Sequence, residues 1–111
     1  MAKPKFLSIV TTECSPELEA RFNKWYNEVH IPMLMKCKGL KKTTRYKITE
    51  ENAVKPRYIA IYEYDSKEAL AAVSGSPEFK AAIEEMQTSW KDGGFEIKGA
   101  TTCEPIKTWE S

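Results

Sequence analysis

Apolar positions crowd the segment Phe6-Leu7-Ser8-Ile9-Val10-Thr11-Thr12 and many are β-branched, the pattern of a strand covered on both faces. Ser15-Pro16-Glu17 then supplies an N-cap, a proline at the first helical position and an acid in the first turn, so a helix is expected from Pro16 to about His30. At about 100° per residue, Leu18, Phe22, Trp25 and Val29 form its buried stripe. Pro32 disfavours helical geometry at Ile31, so the helix should end there, with Met33-Leu34-Met35 reaching Gly39 through one loose turn. Leu40 to Ile48 reads as a second strand, with Leu40, Lys42, Thr44, Tyr46 and Ile48 on one side and Lys41, Thr43, Arg45 and Lys47 on the other.

A polar hairpin loop, Thr49 to Lys55, leads to Arg57-Tyr58-Ile59-Ala60-Ile61-Tyr62-Glu63-Tyr64, the strongest strand signal in the chain. Its aromatics alternate with isoleucines, so both faces need cover. Asp65-Ser66-Lys67-Glu68 resembles a capping box with Asp65 as the cap, opening a short alanine-rich helix that stops near Gly75. Ser76-Pro77-Glu78 repeats the start signal, and Phe79, Ile83, Met86 and Trp90 recur at helical spacing until Gly93-Gly94. Thr101 to Trp109 is the last strand candidate, and Pro105 within it implies an edge or a bulge.

The summed order, β-α-β-β-α-β, predicts an α+β, ferredoxin-like domain: a four-stranded antiparallel sheet with both helices on one face. The other face is left bare. Tyr58, Ala60, Tyr62 and Tyr64 on one side and Ile59 and Ile61 on the other mean that an apolar surface remains after the helices dock, which marks a partner or a ligand. Two such sheets facing each other form a barrel-like homodimer with room for one small ligand per subunit.

Composition narrows the classes. The 111 residues are read as one domain, 1–111. Seventeen Lys and Arg against sixteen Asp and Glu give a formal net charge of +1, interspersed in sign, which points away from nucleic-acid and membrane partners. The apolar run after Met1-Ala-Lys3-Pro4-Lys5 is too short for a signal peptide, so a cytoplasmic address is expected. Cys14, Cys37 and Cys103, odd in number and widely spaced, read as reduced thiols, with no zinc or other metal site expected.

Catalytic signatures are sparse: no G-x-S-x-G elbow, glycine-rich phosphate loop or H-E-x-x-H is present, so no cofactor is expected. What stands out is the only histidine, His30, in the last turn of the expected first helix, beside Trp25 and Tyr26. The wheel puts it at the core border one turn past Tyr26, where the negative end of the helix dipole would stabilise an imidazolium. It is read as the catalytic acid or base, with Tyr26 as its partner; Glu28 faces away on the wheel. A helix-capping histidine flanked by ordinary core aromatics is the plainer alternative. Arg45 is either a solvated strand residue or an anchor for a substrate carboxylate. Tyr46, Tyr62 and Trp90 are core or cavity lining, and Glu63, on a doubly covered strand, needs a donor or a shifted pKa.

Phe22-x-x-Trp25-Tyr26-x-x-Val29-His30-Ile31-Pro32, followed by Gly39-Leu40, Arg45-Tyr46 and Pro56-Arg57-Tyr58-Ile59-Ala60-Ile61-Tyr62-Glu63, resembles the EthD-like branch of the dimeric α/β-barrel superfamily, from Phe6 to Trp109. The resemblance implies ferredoxin-like subunits paired through their sheets, with a cleft between sheet and helices. It places His30 as the histidine ending the first helix and Trp25 and Tyr26 as the aromatic pair before it. Relatives in that superfamily include methylmuconolactone isomerases, polyketide cyclases, quinone-forming monooxygenases and haem-degrading enzymes, so the fold leaves the reaction open. The leading expectation is a cofactor-independent isomerase, cyclase or lyase acting on a small cyclic or aromatic metabolite, as in aromatic degradation. His30 would move a proton and Tyr26 or Tyr62 would orient a carbonyl, with Trp25, Arg45, Tyr46, Tyr62, Glu63 and Trp90 binding the substrate. The alternatives are a non-catalytic small-molecule binding protein, a haem-binding or haem-degrading protein with His30 as axial ligand, and a cofactor-free monooxygenase.

Overall fold

The computed structural model describes residues 4–50, 52 and 54–111. Met1 to Lys3 of the amino terminus, and Glu51 and Ala53 of the expected hairpin loop, lie outside the described residues. Four strands, β1 Phe6–Cys14, β2 Leu40–Lys47, β3 Arg57–Tyr64 and β4 Phe95–Cys103, form one sheet in the order β2-β3-β1-β4. Every neighbouring pair is antiparallel. The α+β, ferredoxin-like architecture read from the sequence is the one observed.

Between β1 and β2 the chain makes a 3-10 turn, Pro16–Leu18, then α1, Glu19–Trp25, a π-helical turn, Tyr26–His30, and α2, Ile31–Leu34. The helix therefore does not stop before Pro32. Ile31 stays helical (φ −62, ψ −45), and its N–H bonds to the carbonyl of Tyr26, five residues back. A proline clashes with the carbonyl one turn before it, and widening that turn by one residue makes room for the ring.

Helices α3, Lys67–Ser74, and α4, Pro77–Ser89, follow β3. The cap of α3 is Ser66, whose side chain accepts from the Ala69 N–H; Asp65 instead pairs with Lys5 and Lys41. Ser76 caps α4 as its sequence indicates, accepting from the Phe79 N–H at 3.2 Å. Strand β4 starts six residues earlier than the sequence suggests and ends before Pro105. Gly93 and Gly94, at φ +81 and +123, turn the chain straight into the sheet. The alternation of β4 is blurred because, as an edge strand, it carries Glu96 and Lys98, and its register with β1 slips between Thr11 and Thr12.

The core lies on the helix-facing side. Tyr58, Ala60, Tyr62 and Tyr64 of β3 are buried with Phe22, Trp25 and Tyr26, whereas Ile59 and Ile61, on the opposite face, are half-buried and stand outside that cluster. Phe22 is fully buried, its ring 5.3 Å from that of Tyr26 and 5.0 Å from that of Phe95. Truncating such a residue to alanine costs roughly 3–5 kcal/mol. No helix among the described residues is long and apolar enough to cross a membrane.

Candidate functional site

Between the sheet and the helices lies a cavity of about 240 Å³. Its floor is the helix-facing side of the sheet: Ser8, Val10 and Thr12 of β1, Tyr62 and Tyr64 of β3, and Phe95, Ile97, Ala100 and Thr102 of β4. Leu34, Leu40, Leu70, Val73, Phe79, Ile83 and Met86, with the polar Ser74, complete its walls, and Tyr26 and His30 enter from the π-helical turn. Concave, mostly apolar surfaces with a few converging polar groups are the usual form of small-molecule sites.

The π-helical turn decides which side chains face the cavity. On an unbroken α-helix Val29 would share the buried stripe and His30 would sit at its border. With one extra residue in the turn, His30 is brought to 5 % exposure while Val29 remains half-buried and Glu28 stays exposed. Single π-turns of this kind recur at functional sites because they re-aim side chains without ending the helix.

His30 stacks on Trp25 at 4.7 Å between centroids and meets Tyr26 edge-on at 5.0 Å. Its Nδ1 is buried without a hydrogen-bond partner. Burial pushes its pKa down to about 4, outweighing the opposing pull of Glu85, and the nearby Arg45 cation adds a smaller push in the same direction as burial. Glu85 is itself engaged, accepting from Trp25 Nε1 at 2.9 Å and from the Ser89 hydroxyl. The imidazole is therefore neutral at pH 7, contrary to the expectation of a dipole-stabilised imidazolium. The reason is geometric: the helix runs on to Leu34, so His30 is not at its carbonyl end, and desolvation dominates.

The Tyr26 and Tyr62 hydroxyls lie 3.2 Å apart. Burial raises both pKa values, so both phenols stay protonated. One of their two protons serves the bond between them, leaving the other free to donate. Arg45 lies behind this pair on the helix-facing side of β2, not on a solvated side. Its guanidinium is 4.3 Å from the Tyr26 ring centroid and 5.0 Å from that of Tyr58, and Nη1 donates to Asn27 Oδ1 at 2.8 Å. A cation over a phenol ring draws charge from it and favours the ring's hydroxyl as a donor.

The remaining residues singled out by sequence fall elsewhere. Trp25 backs His30 and Trp90 packs on Phe22 and under Arg21, and neither lines the cavity. Tyr46 pairs with Ile59 and Glu63 with Leu7, so both occupy the opposite face of the sheet. The sequence reading missed Ser8, Thr12 and Thr102, polar residues on the cavity floor. Ser8 and Thr12 are the hydroxyl-bearing positions on one face of an otherwise apolar strand, a signal present in the alternation of β1. Among the described residues no group of three His, Cys, Asp or Glu is gathered for a metal, and Cys14, Cys37 and Cys103 form no disulfide.

Three solved structures place the fold among known proteins. An ethyl tert-butyl ether D (EthD) family protein from Bacillus halodurans C-125 superposes with TM-score 0.70 at 18% identity, over 91% of this chain and 99% of the other. A dimeric ferredoxin-like protein from an uncultured marine organism gives 0.69 at 18%, over 97% and 100%. A monooxygenase of Streptomyces coelicolor, ActVA-Orf6, solved in complex with the ligand nanaomycin D, gives 0.66 at 14%, over 96% and 92%. At these identities the likeness is one of fold, and it agrees with the EthD-like resemblance of the sequence. No curated protein matches the chain. The match over residues 6–96, which takes in β1, the π-helical turn and every helix that walls the cavity, shows that the chain belongs to the family described as a domain of unknown function, DUF4286.

Proposed function

We propose that the protein is a cofactor-independent enzyme that moves a proton on a small cyclic or aromatic metabolite held in the sheet–helix cavity, with His30 as the base. The observation that carries this reading is the buried, neutral imidazole on the cavity wall with an unused ring nitrogen. A buried polar atom left unpaired costs about 1–3 kcal/mol; Arg45 Nη2 and Trp90 Nε1 are also buried and unpaired, but of these three residues His30 is the one that lines the cavity. The Tyr26–Tyr62 pair lies on the same wall and supplies a neutral donor for a substrate oxygen.

Together these groups suit a carbon acid. His30 takes a proton from the carbon beside a carbonyl, the electron pair moves onto the carbonyl oxygen, and the free phenolic O–H stabilises the resulting enolate. Return of the proton to another carbon gives an isomer, with atoms and charge balanced. The low basicity of the empty-site imidazole is relieved as the enolate forms, since a neighbouring anion favours the imidazolium. Among the described residues the cavity lining has no cation for the two propionates of a haem, so the site does not fit that group and no step is derived through it.

The same reading takes the half-buried face bearing Leu7, Ile9, Ile59 and Ile61 as the surface on which a second copy docks. That a structural relative is described as dimeric supports it. The proton-transfer step is tested with 2-tetralone, an uncharged bicyclic ketone with exchangeable C–H bonds, in deuterated water. Wild-type protein should accelerate exchange and His30→Ala should lose roughly a hundredfold or more of that acceleration. Binding of the ketone without exchange would instead favour a non-catalytic binding protein.

A further inference from the structure

We infer that the cavity selects uncharged ring compounds bearing one oxygen, and rejects the corresponding carboxylates. This rests on the proposed ligand site and names its substrate class. Among the described residues that wall the cavity there is no Asp, Glu, Lys or Arg. The cation that the sequence offers for a carboxylate, Arg45, is withheld from it. Its guanidinium lies over the Tyr26 ring with Nη1 donating to Asn27 Oδ1 and Nη2 unpaired, and Arg45 is not among the lining residues.

An anion entering this space would give up its hydration with no opposite charge to receive it, a penalty that exceeds what hydrogen bonds from neutral groups return. A neutral ring loses nothing comparable and gains contact with Val10, Leu34, Phe79 and Met86 on the apolar walls. Specificity for oxygen follows from the hydroxyl pair. Tyr26 and Tyr62 consume one proton between them at 3.2 Å and leave one donor, while His30 Nδ1 is unpartnered. A ligand hydroxyl or carbonyl satisfies the free phenolic donor that an unsubstituted ring leaves unpaired, and sites built this way discriminate strongly against the analogue that lacks the oxygen.

The test compares three probes on the same two-ring frame by calorimetric titration of the full chain at pH 7: 2-naphthol, naphthalene and 2-naphthoate. 2-Naphthol should bind at least about tenfold tighter than 2-naphthoate and measurably tighter than naphthalene. The double variant Tyr26→Phe/Tyr62→Phe, which removes both hydroxyls, should narrow the gap between 2-naphthol and naphthalene while leaving 2-naphthoate weak. Equal or tighter binding of 2-naphthoate would overturn the charge selection, and equal binding of naphthalene would overturn the selection for oxygen. Failure of all three to bind would remove the ligand site itself and the inference with it, a result distinct from either reversal.

Discussion

His30 shows how far one side chain's chemistry depends on where a turn places it. Its sequence neighbours suggest a charge-stabilised ring at the border of the core, and the structure holds a desolvated one against Trp25 and Tyr26, near Glu85 from α4 and Arg45 from β2, with Tyr62 from β3 bonded to Tyr26. Its folded pKa, about 4, lies below the ordinary imidazole value of 6.5. As pH falls the unfolded chain takes up the proton first, so the contribution of neutral His30 to stability is whole above about pH 6.5 and is lost progressively down to about pH 4. At roughly 1.4 kcal/mol per pH unit, the loss amounts to about 3 kcal/mol. Because the chain has a single histidine, NMR titration of its imidazole reads this directly. A midpoint near 4 is expected; a midpoint near 6.5 would mean that the ring is solvated.

Among the elements, those with strong periodicity were legible in the sequence, and the rest were hidden for physical reasons. The alternation of Tyr58, Ala60, Tyr62 and Tyr64, and the serine-proline start of α4, correspond to observed structure because each is a local preference that packing reinforces. The continuation of the first helix through Pro32 was not legible, since the π-helical turn that accommodates the ring leaves no mark in a wheel drawn at 3.6 residues per turn. That one turn also brought His30 into the buried wall of the cavity. Strand β4 was displaced because an edge strand with Glu96, Lys98 and Gly99 lacks alternation, and the clearest start signal is the pair of glycines before it. An alanine at Gly94 would have to adopt φ +123 and would place its Cβ 2.6 Å from Leu18 Cδ1. Gly94→Ala should therefore lower stability by about 1–2 kcal/mol or more in urea denaturation. Gly99→Ala, in open space, should change it by less than about 1 kcal/mol. Equal effects would show that the turn into β4 does not need the left-handed glycine.

At the scale of the molecule, the sheet separates two surfaces of different make-up. The helix-facing side holds the cavity and its polar pair, and the other carries Leu7, Ile9, Ile59 and Ile61 with little cover from the chain's own core. Burial of that face against a second copy predicts a mass near twice 12.7 kDa by light scattering at micromolar concentration. Ile61→Glu should return the monomer, because a carboxylate would then be desolvated at the centre of the interface. A wild-type monomer would contradict the pairing. Of the candidate site, the histidine and its two tyrosines could be named from sequence, whereas most of the cavity floor could not, because it is assembled from strands that meet only through the sheet register. Those parts meet in one measurement, deuterium exchange into 2-tetralone by wild type and His30→Ala at pH 7, with circular dichroism confirming that both are folded. The account predicts exchange accelerated by the wild type and reduced roughly a hundredfold or more in the variant. Equal rates in the two folded proteins would contradict it.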